Sequence, residues 1–441
     1  MPQTRKKSLK QVPPLYEKPD VAAMQGYTLN LSASPGETIR FCTTTKAPTF
    51  QVAFHHLGTS GGTIDLIQNI PGRMQPCPES AWATGCNWQP TFSWTVPNNA
   101  RSGMYDAECT DSHHKKCHIV FNVKPAPKKK KQIAILASTN TYNAYNGWGG
   151  MSAYSVPGPE TLSLHRPMPS ASPVGLGRSH LVRAELWVIN WLENAGYEVD
   201  VYSDLDLHQN WFWLKKYRAL IINTHGEYWS ASMRDHLDVY LNNGGNLLYL
   251  SGNGLYWKVT YDAQMHTMEV RKDRRAHNQT SEPGGLWRQV GRPEHAVIGV
   301  GYVRPGYMTF APYQVEAPRH WIFKGTGLKK GSLIGRSGIN GGAASGWEMD
   351  QINDASPKNL KMLARGLNAE DYMDPRTSAH YPDPAYNWNG AGGAHMVYYD
   401  HPGGGGVFSV GSIAFGGSLI VDPQLQHIVR NVLNRYLQTA K

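Results

Sequence analysis

Ala219-Leu220-Ile221-Ile222-Asn223-Thr224-His225-Gly226-Glu227-Tyr228-Trp229 opens on an apolar run and closes on polar residues. The run Ala219 to Asn223 lacks polar alternation and reads as a strand of a parallel sheet buried on both faces. A helix is predicted from Met233 to Asn243, with Gly244-Gly245 as its stop. Asn246 to Leu250 is the next buried strand and runs out into Ser251-Gly252-Asn253-Gly254. Upstream, the strand Gln132 to Ala137 precedes Thr141-Tyr142-Asn143-Ala144-Tyr145-Asn146-Gly147-Trp148-Gly149-Gly150. Buried strands alternating with helices predict a doubly wound α/β domain with a parallel sheet. Its polar turns then gather along one edge, where such sheets bind ligands.

The pattern extends outward. Ser179 is placed to cap a helix with Leu181, Val188, Trp191 and Leu192 on one face, Gly196 ends it, and Glu198 to Tyr202 is a further strand. Asp422-Pro423 opens a last helix with Leu425, Ile428, Val429, Val432, Leu433 and Tyr436 on one stripe. Between about residues 260 and 420 Gly, Pro, Tyr and Trp dominate, which predicts irregular β-structure and long loops roofing the site. Gly403 to Gly406 lacks the Lys-Ser or Lys-Thr of a phosphate loop and leads into a strand, so it reads as a hairpin or strand entry.

Before residue 124 the pattern changes to short runs separated by turn residues: Tyr27 to Leu31, Thr38 to Cys42, Gln51 to His56, Thr91 to Val96, Gly103 to Cys109 and His118 to Val123. This is the signature of a small all-β, immunoglobulin-like sandwich. The expected organisation is a basic tail (1–24), the sandwich (25–124), a Pro/Lys linker (125–131) and the α/β domain (132–441).

The 441 residues carry a net charge of +10, much of it in Arg5 to Lys10 and Lys128 to Lys131. That clustering suits a solvated tail and linker better than a groove for nucleic acid. No run of about 18 apolar residues and no signal-peptide core is present, so the expectation is a cytoplasmic protein with no membrane partner. The five cysteines (Cys42, Cys77, Cys86, Cys109, Cys117) all precede Lys124. The α/β domain therefore has no cysteine nucleophile for glutamine amidotransferase chemistry. His225-Gly226-Glu227 lacks the downstream Pro-Cys-x-x-Cys of zinc deaminases. The cluster His113 to His118 reads as a solvated loop.

The three polar turns, with Gly346-Trp347-Glu348-Met349-Asp350 and Val407-Phe408-Ser409-Val410-Gly411-Ser412, resemble the large, catalytic subunit of N,N-dimethylformamidase and its relatives over about residues 100 to 420. The resemblance implies a class I glutamine amidotransferase-like fold and one iron bound by two tyrosines and a glutamate. By motif these are Tyr105 in Ser102-Gly103-Met104-Tyr105, Tyr145 and Glu227, with His225, Asn253 and Glu348 lining the site. Lys272, in the charged run Glu269 to Arg275, is a candidate for the family's catalytic lysine. The resemblance also implies a small amide substrate and a homo-oligomer that works with a small accessory subunit.

Two phenolates and a carboxylate are hard oxygen donors that suit a trivalent cation such as mononuclear Fe(III). Phenols ionise near pH 10 in water, so the cation itself must keep them deprotonated. Such an ion polarises an amide carbonyl or acidifies water. The expected reaction is hydrolysis of an N-substituted amide such as N,N-dimethylformamide to formate and dimethylamine. Glu348 would act as general base and then acid, and His225 and Asn253 would donate to the oxyanion. Each residue also has a plain structural reading. The tyrosines can be packing residues, Glu227 a helix-capping acid, Asn253 a turn residue, and Glu348 one partner of an ion pair. The competing class is a non-catalytic carbohydrate- or protein-binding chain with a degenerate metal site, served by 14 Trp and 23 Tyr.

Overall fold

The computed structural model describes residues 20–59, 61–127, 131–174, 180–340, 342–368 and 392–438. Most of the expected basic tail, the linker lysines Lys128 to Lys130 and the expected cap Ser179 lie outside the described residues.

Strands between Gln25 and Val123 form two sheets. One has three strands in the order Gln25–Thr28, Thr38–Thr44, Phe92–Thr95. The other has five, in the order Ser32–Ala33, Lys116–Val123, Gly103–Asp111, Thr49–His56, Gly62–Pro71. Phe41, Phe54, Trp94 and Phe121 fill the space between them, with Phe54 and Trp94 stacked at 4.4 Å. The strand Gly62–Pro71 has no counterpart among the predicted ones. It pairs only with Thr49–His56, and nearly all its side chains face water, so it shows no apolar alternation.

The second unit is organised by a nine-stranded sheet. In chain order its strands are β1 (Ile133–Ala137), β2 (Val199–Ser203), β3 (Ala219–Thr224), β4 (Asn246–Ser251), β5 (Tyr313–Val315), β6 (Leu333–Ile334), β7 (Lys361–Gly366), β8 (His395–Asp400) and β9 (Gly406–Ser409). The order across the sheet is β2-β1-β3-β4-β9-β8-β7-β5-β6. The first five are parallel, and β8, β7, β5 and β6 extend them antiparallel.

Alternate residues of the parallel strands bury on opposite faces, which is why their sequences are apolar throughout. Ile133, Ile135 and Ala137 face α2 (Val182–Asn194) and α4 (Pro423–Leu437). Ala134 and Leu136 lie in the other core with Met233, Leu237 and Leu241 of α3 (Ala231–Asn242). The Gly403 to Gly406 run closes the β8–β9 hairpin. At Gly405 an added Cβ would fall 1.9 Å from the Gly245 carbonyl oxygen, so no side chain fits there.

The structure differs from expectation between residues 260 and 420. Besides the expected strand after the Gly403 to Gly406 run, four segments of that region are strands of the main sheet rather than irregular cover, and they make it mixed. Each is two to six residues long and set among Gly and Pro, too short for periodicity to show. The sandwich rests against the β2 side. Val201 N donates to Ser102 Oγ at 2.9 Å, and Asp206 accepts from Ser32 Oγ at 2.9 Å and Lys124 Nζ at 3.1 Å. Among the described residues no helix is long and apolar enough to cross a membrane.

Candidate active site

β3 and β4 run parallel and in register, Thr224 beside Ser251, so the residues that follow both strands emerge at the same sheet edge. The chain turns sharply at each exit: Thr224 has φ +52° and Asn253 φ +48°, left-handed values uncommon for residues other than glycine. Gly252 is required here, since a Cβ would lie 2.6 Å from both the Glu348 carbonyl oxygen and the Ile413 nitrogen. The Asn253 amide nitrogen donates to Asp350 Oδ1 at 2.8 Å, and Asp350 Oδ2 accepts from Tyr249 at 2.7 Å. Asp350 thereby ties the loop after β4 to the segment that carries Glu348.

β1 leads through Ser138 into the short helix α1 (Thr139–Tyr145), whose last residue is Tyr145. The loop beyond it is templated by Arg166, which is fully buried. Its guanidinium donates to the carbonyl oxygens of Asn143, Asn146 and Met151 at 3.2, 3.0 and 3.3 Å and to that of Trp148 at 2.5 Å. A buried cation wrapped by carbonyl oxygens fixes the loop on both sides of Tyr145.

These elements bring five sequence-predicted residues together. Tyr145 Oη lies 3.0 Å from His225 Nε2, and that nitrogen is 3.2 Å from Glu227 Oε2 and 3.6 Å from Glu348 Oε2. Asn253 Nδ2 faces both carboxylates, at 2.9 Å from Glu348 Oε2 and 3.4 Å from Glu227 Oε1. Its N–H groups thus bridge two acids instead of standing open to an oxyanion. His225 Nδ1 sits 2.9 Å from the Gly252 carbonyl oxygen, which assigns the proton to Nδ1 and turns Nε2 toward the acids and Tyr145.

The structure does not bring Tyr105 to this cluster. Its ring packs among His56, Trp94 and Phe121 in the sandwich core, and its hydroxyl donates to the Arg101 carbonyl at 2.7 Å. A different phenol completes the cluster. Tyr154 Oη is 2.8 Å from Tyr145 Oη and 2.9 and 3.1 Å from the two Glu227 oxygens. Nothing in the composition or periodicity around Tyr154 distinguishes it from the other tyrosines. Only the spacing of nine residues from Tyr145, across the loop that Arg166 holds, relates the two.

Lys272 stands at the cluster. Its Nζ donates to the Ala153 carbonyl at 2.8 Å and lies 4.2 Å from the centre of the Tyr154 ring. His180 and Trp347 form a further wall that sequence reading missed. The His180 ring is 4.8 Å from Tyr145, 5.4 Å from His225 and 4.7 Å from Trp347. Trp347 has φ +70°, a strained backbone conformation for a bulky residue beside Glu348.

Burial and like charge tune the groups. Burial pushes the Glu348 carboxyl up to about 7, with Glu227 adding to the rise and His225, Asn253 and Lys272 opposing it. Burial alone would drive the His225 imidazole down, but Glu227 and Glu348 hold it up at about 9. Lys272 is brought down to about 8 by burial, against the pull of the same two acids. The Tyr145 phenol is pushed well up by burial and by both carboxylates. Among the described residues no group of three His, Cys, Asp or Glu is placed to hold a metal ion.

The chain aligns with the N,N-dimethylformamidase beta subunits of Alcaligenes sp and Paracoccus aminophilus, with 26% identity over 422 residues in each case. The alignments cover 80% of this chain and 55% of each relative, so the chain spans little more than half of the length of these relatives. Among solved structures, a ThuA-like protein of Parabacteroides merdae matches at 14% identity and a TM-score of 0.24, covering 71% of this chain and 93% of that one. A cycloisomaltooligosaccharide glucanotransferase of Paenibacillus sp. matches at 13% identity and a TM-score of 0.15, covering 28% of this chain and 18% of that one. Scores this low bear on neither fold nor function. Residues 56–428 match the family described as N,N-dimethylformamidase beta subunit-like, C-terminal, and the chain belongs to that family.

Proposed function

We propose that this chain is an iron-dependent amidohydrolase and the catalytic chain of its assembly, cleaving a small N-substituted amide such as N,N-dimethylformamide to formate and dimethylamine. The observation that carries this reading is the convergence of Tyr145 and Glu227 on the Tyr154 hydroxyl, at 2.8 Å and at 2.9 and 3.1 Å, beside a second carboxylate, Glu348. Two phenols and a carboxylate fit a hard trivalent cation, and Tyr154 takes the place first given to Tyr105. When bound, Fe(III) would supply Lewis acidity toward the carbonyl or water and would hold the phenols ionised, Tyr145 against the burial that pushes its phenol up.

The chain's own residues supply the proton transfers. Glu348, with its carboxyl lifted to about 7, takes a proton from the attacking water and returns it to the leaving amine nitrogen. Asn253 Nδ2 holds the Glu348 carboxylate in place. His225 gives its Nδ1–H to Gly252, and as an imidazolium it can donate from Nε2 to the developing oxyanion. Water, amide, carboxylic acid and amine balance without any redox partner. Because the relatives are named as subunits, a homo-oligomer with a further small chain belongs to the same proposal.

The test is release of formate and dimethylamine from N,N-dimethylformamide by the purified chain and by Glu348→Gln. The variant should lose about 10² to 10⁴ in kcat while keeping its metal content. Turnover in Glu348→Gln within a factor of about two of the parent would remove Glu348 from the chemistry.

A further inference from the structure

We infer that Cys77 and Cys86 are a modification site: they join reversibly as a disulfide, by exchange with a small-molecule disulfide such as oxidised glutathione. The bond staples the loop of the sandwich that supports the chain between Tyr145 and Tyr154. The inference stands on the sandwich and its contact with the α/β unit and does not depend on the hydrolase reading.

Residues 77–86 form a loop whose base is pinned by side chains. Gln75 Nε2 donates to the Gln89 carbonyl at 2.9 Å, Gln89 N donates to Gln75 Oε1 at 2.8 Å, and Trp88 Nε1 donates to the Pro76 carbonyl at 2.7 Å. Cys77 and Cys86 come next inside that base, and both pack in one apolar cluster with Tyr27, Trp88 and Trp148. The third thiol of the cluster, Cys42, is fully buried and gives its S–H to the Trp88 carbonyl at 3.2 Å. Burial pushes the Cys77 thiol up, while its hydrogen bond with Cys86 pulls it back. Burial also pushes Cys86 up, and Cys77 adds to that rise. The half-buried Cys77 is therefore the thiol that ionises, with the buried Cys86 as its S–H donor.

The loop supports the chain that carries Tyr145 and Tyr154. Its short helix Ala81–Thr84 lies against Gly149, where a Cβ would fall 3.1 Å from Trp82 N and 3.3 Å from Ala81 Cβ. Cys86 N donates to the His165 carbonyl at 2.9 Å, one residue before the Arg166 that holds the same loop. Trp88 meets Trp148 edge-on, with ring centres 6.0 Å apart. The exchange balances in two steps. The Cys77 thiolate attacks one sulfur of glutathione disulfide, forming a mixed disulfide and releasing one glutathione thiolate. The Cys86 sulfur, as its proton leaves, attacks the Cys77 sulfur and expels the second glutathione. The two S–H protons of the protein end on the two glutathiones, so two protein thiols are oxidised and one glutathione disulfide is reduced.

The experiment treats the folded full chain with oxidised glutathione, blocks the remaining thiols with an alkylating reagent and maps the peptides by mass spectrometry. Trypsin leaves residues 74–101 in one piece, and a second cut after Trp82 separates the two cysteines unless a disulfide joins them. We expect the joined pair in most of the chains, its loss on adding reduced glutathione, and a thermal midpoint about 4 to 10 °C higher in the oxidised form. Amide exchange of residues 147–153 should slow about five- to tenfold in the disulfide form. Cys77→Ser, at the less buried of the two positions, should keep the reduced-state midpoint within about 2 °C of the parent and lose both oxidation-dependent changes. Absence of the 77–86 link after oxidation overturns the inference, whatever the other cysteines do, and so do oxidation-dependent changes that persist in Cys77→Ser. A link that reduced glutathione does not reverse overturns its reversibility. A link that leaves exchange at 147–153 unaltered overturns the support given to the loop.

Discussion

Glu185 shows how far the residues behind the site have been taken from their ordinary behaviour. It lies on α2 with one oxygen accepting from Ser138 N at 3.1 Å and the Tyr142 hydroxyl beside its carboxyl. Burial pushes its carboxyl from 4.5 up to about 7. An acid whose folded-state value is raised costs stability as pH rises: nothing below about 4.5, a growing cost up to about 7, and a constant one above. Glu185→Gln keeps the acceptor for Ser138 and removes the titration. It should match the parent in denaturant unfolding at about pH 4 and exceed it at pH 9 by roughly 3 kcal/mol. A gap that does not open with pH would show that Glu185 is solvated in a way its burial does not suggest. At this scale His225, Glu227, Tyr145, Asn253 and Glu348 could be named from sequence through the motifs that resemble the formamidase family; position at a strand exit or beside glycines alone left a plain structural reading open for each. Tyr154 and His180 could not. Each enters the site through a loop whose path depends on tertiary contacts, those of Arg166 on one side and of Trp347 on the other.

Elements were legible where the physics is local. The Asp422-Pro423 start of α4 is found as expected, with the Asp422 side chain accepting from Gln424 N at 2.7 Å and Leu425 N at 3.1 Å. Its Oδ2 also accepts from Gly335 N at 2.7 Å, so the same carboxylate anchors a distant loop. Asp422→Ala should cost about 1 to 2 kcal/mol, read as a lower thermal midpoint. A change of a few tenths would mean that water replaces all three bonds. β3, β4 and α3 also fall within one or two residues of their predicted bounds, since two-faced burial and a glycine stop are written in adjacent residues. β5 to β8 were not legible. A strand of two to six residues at the antiparallel side of a sheet is chosen by its neighbours, and its own sequence carries no period.

The whole molecule joins a sandwich to the β2 side of a mixed sheet and places its candidate site at the exits of β1, β3 and β4. The motif carrying Tyr105 could be found in the sequence, but its location could not. The register of the strand Gly103–Asp111 turns Tyr105 into the sandwich core, and a strand's side-chain direction is set by pairing across the sheet. The account therefore assigns the two phenolic donors to one loop of the α/β unit. The most direct test is the metal content of the purified chain, measured with its visible spectrum in the parent, Tyr154→Phe and Tyr105→Phe. The account predicts about one iron per chain and a tyrosinate-to-iron absorption band, both lost or greatly weakened in Tyr154→Phe and both retained in Tyr105→Phe. Iron that survives Tyr154→Phe unchanged but disappears with Tyr105→Phe, or a parent chain that takes up no iron, would contradict it.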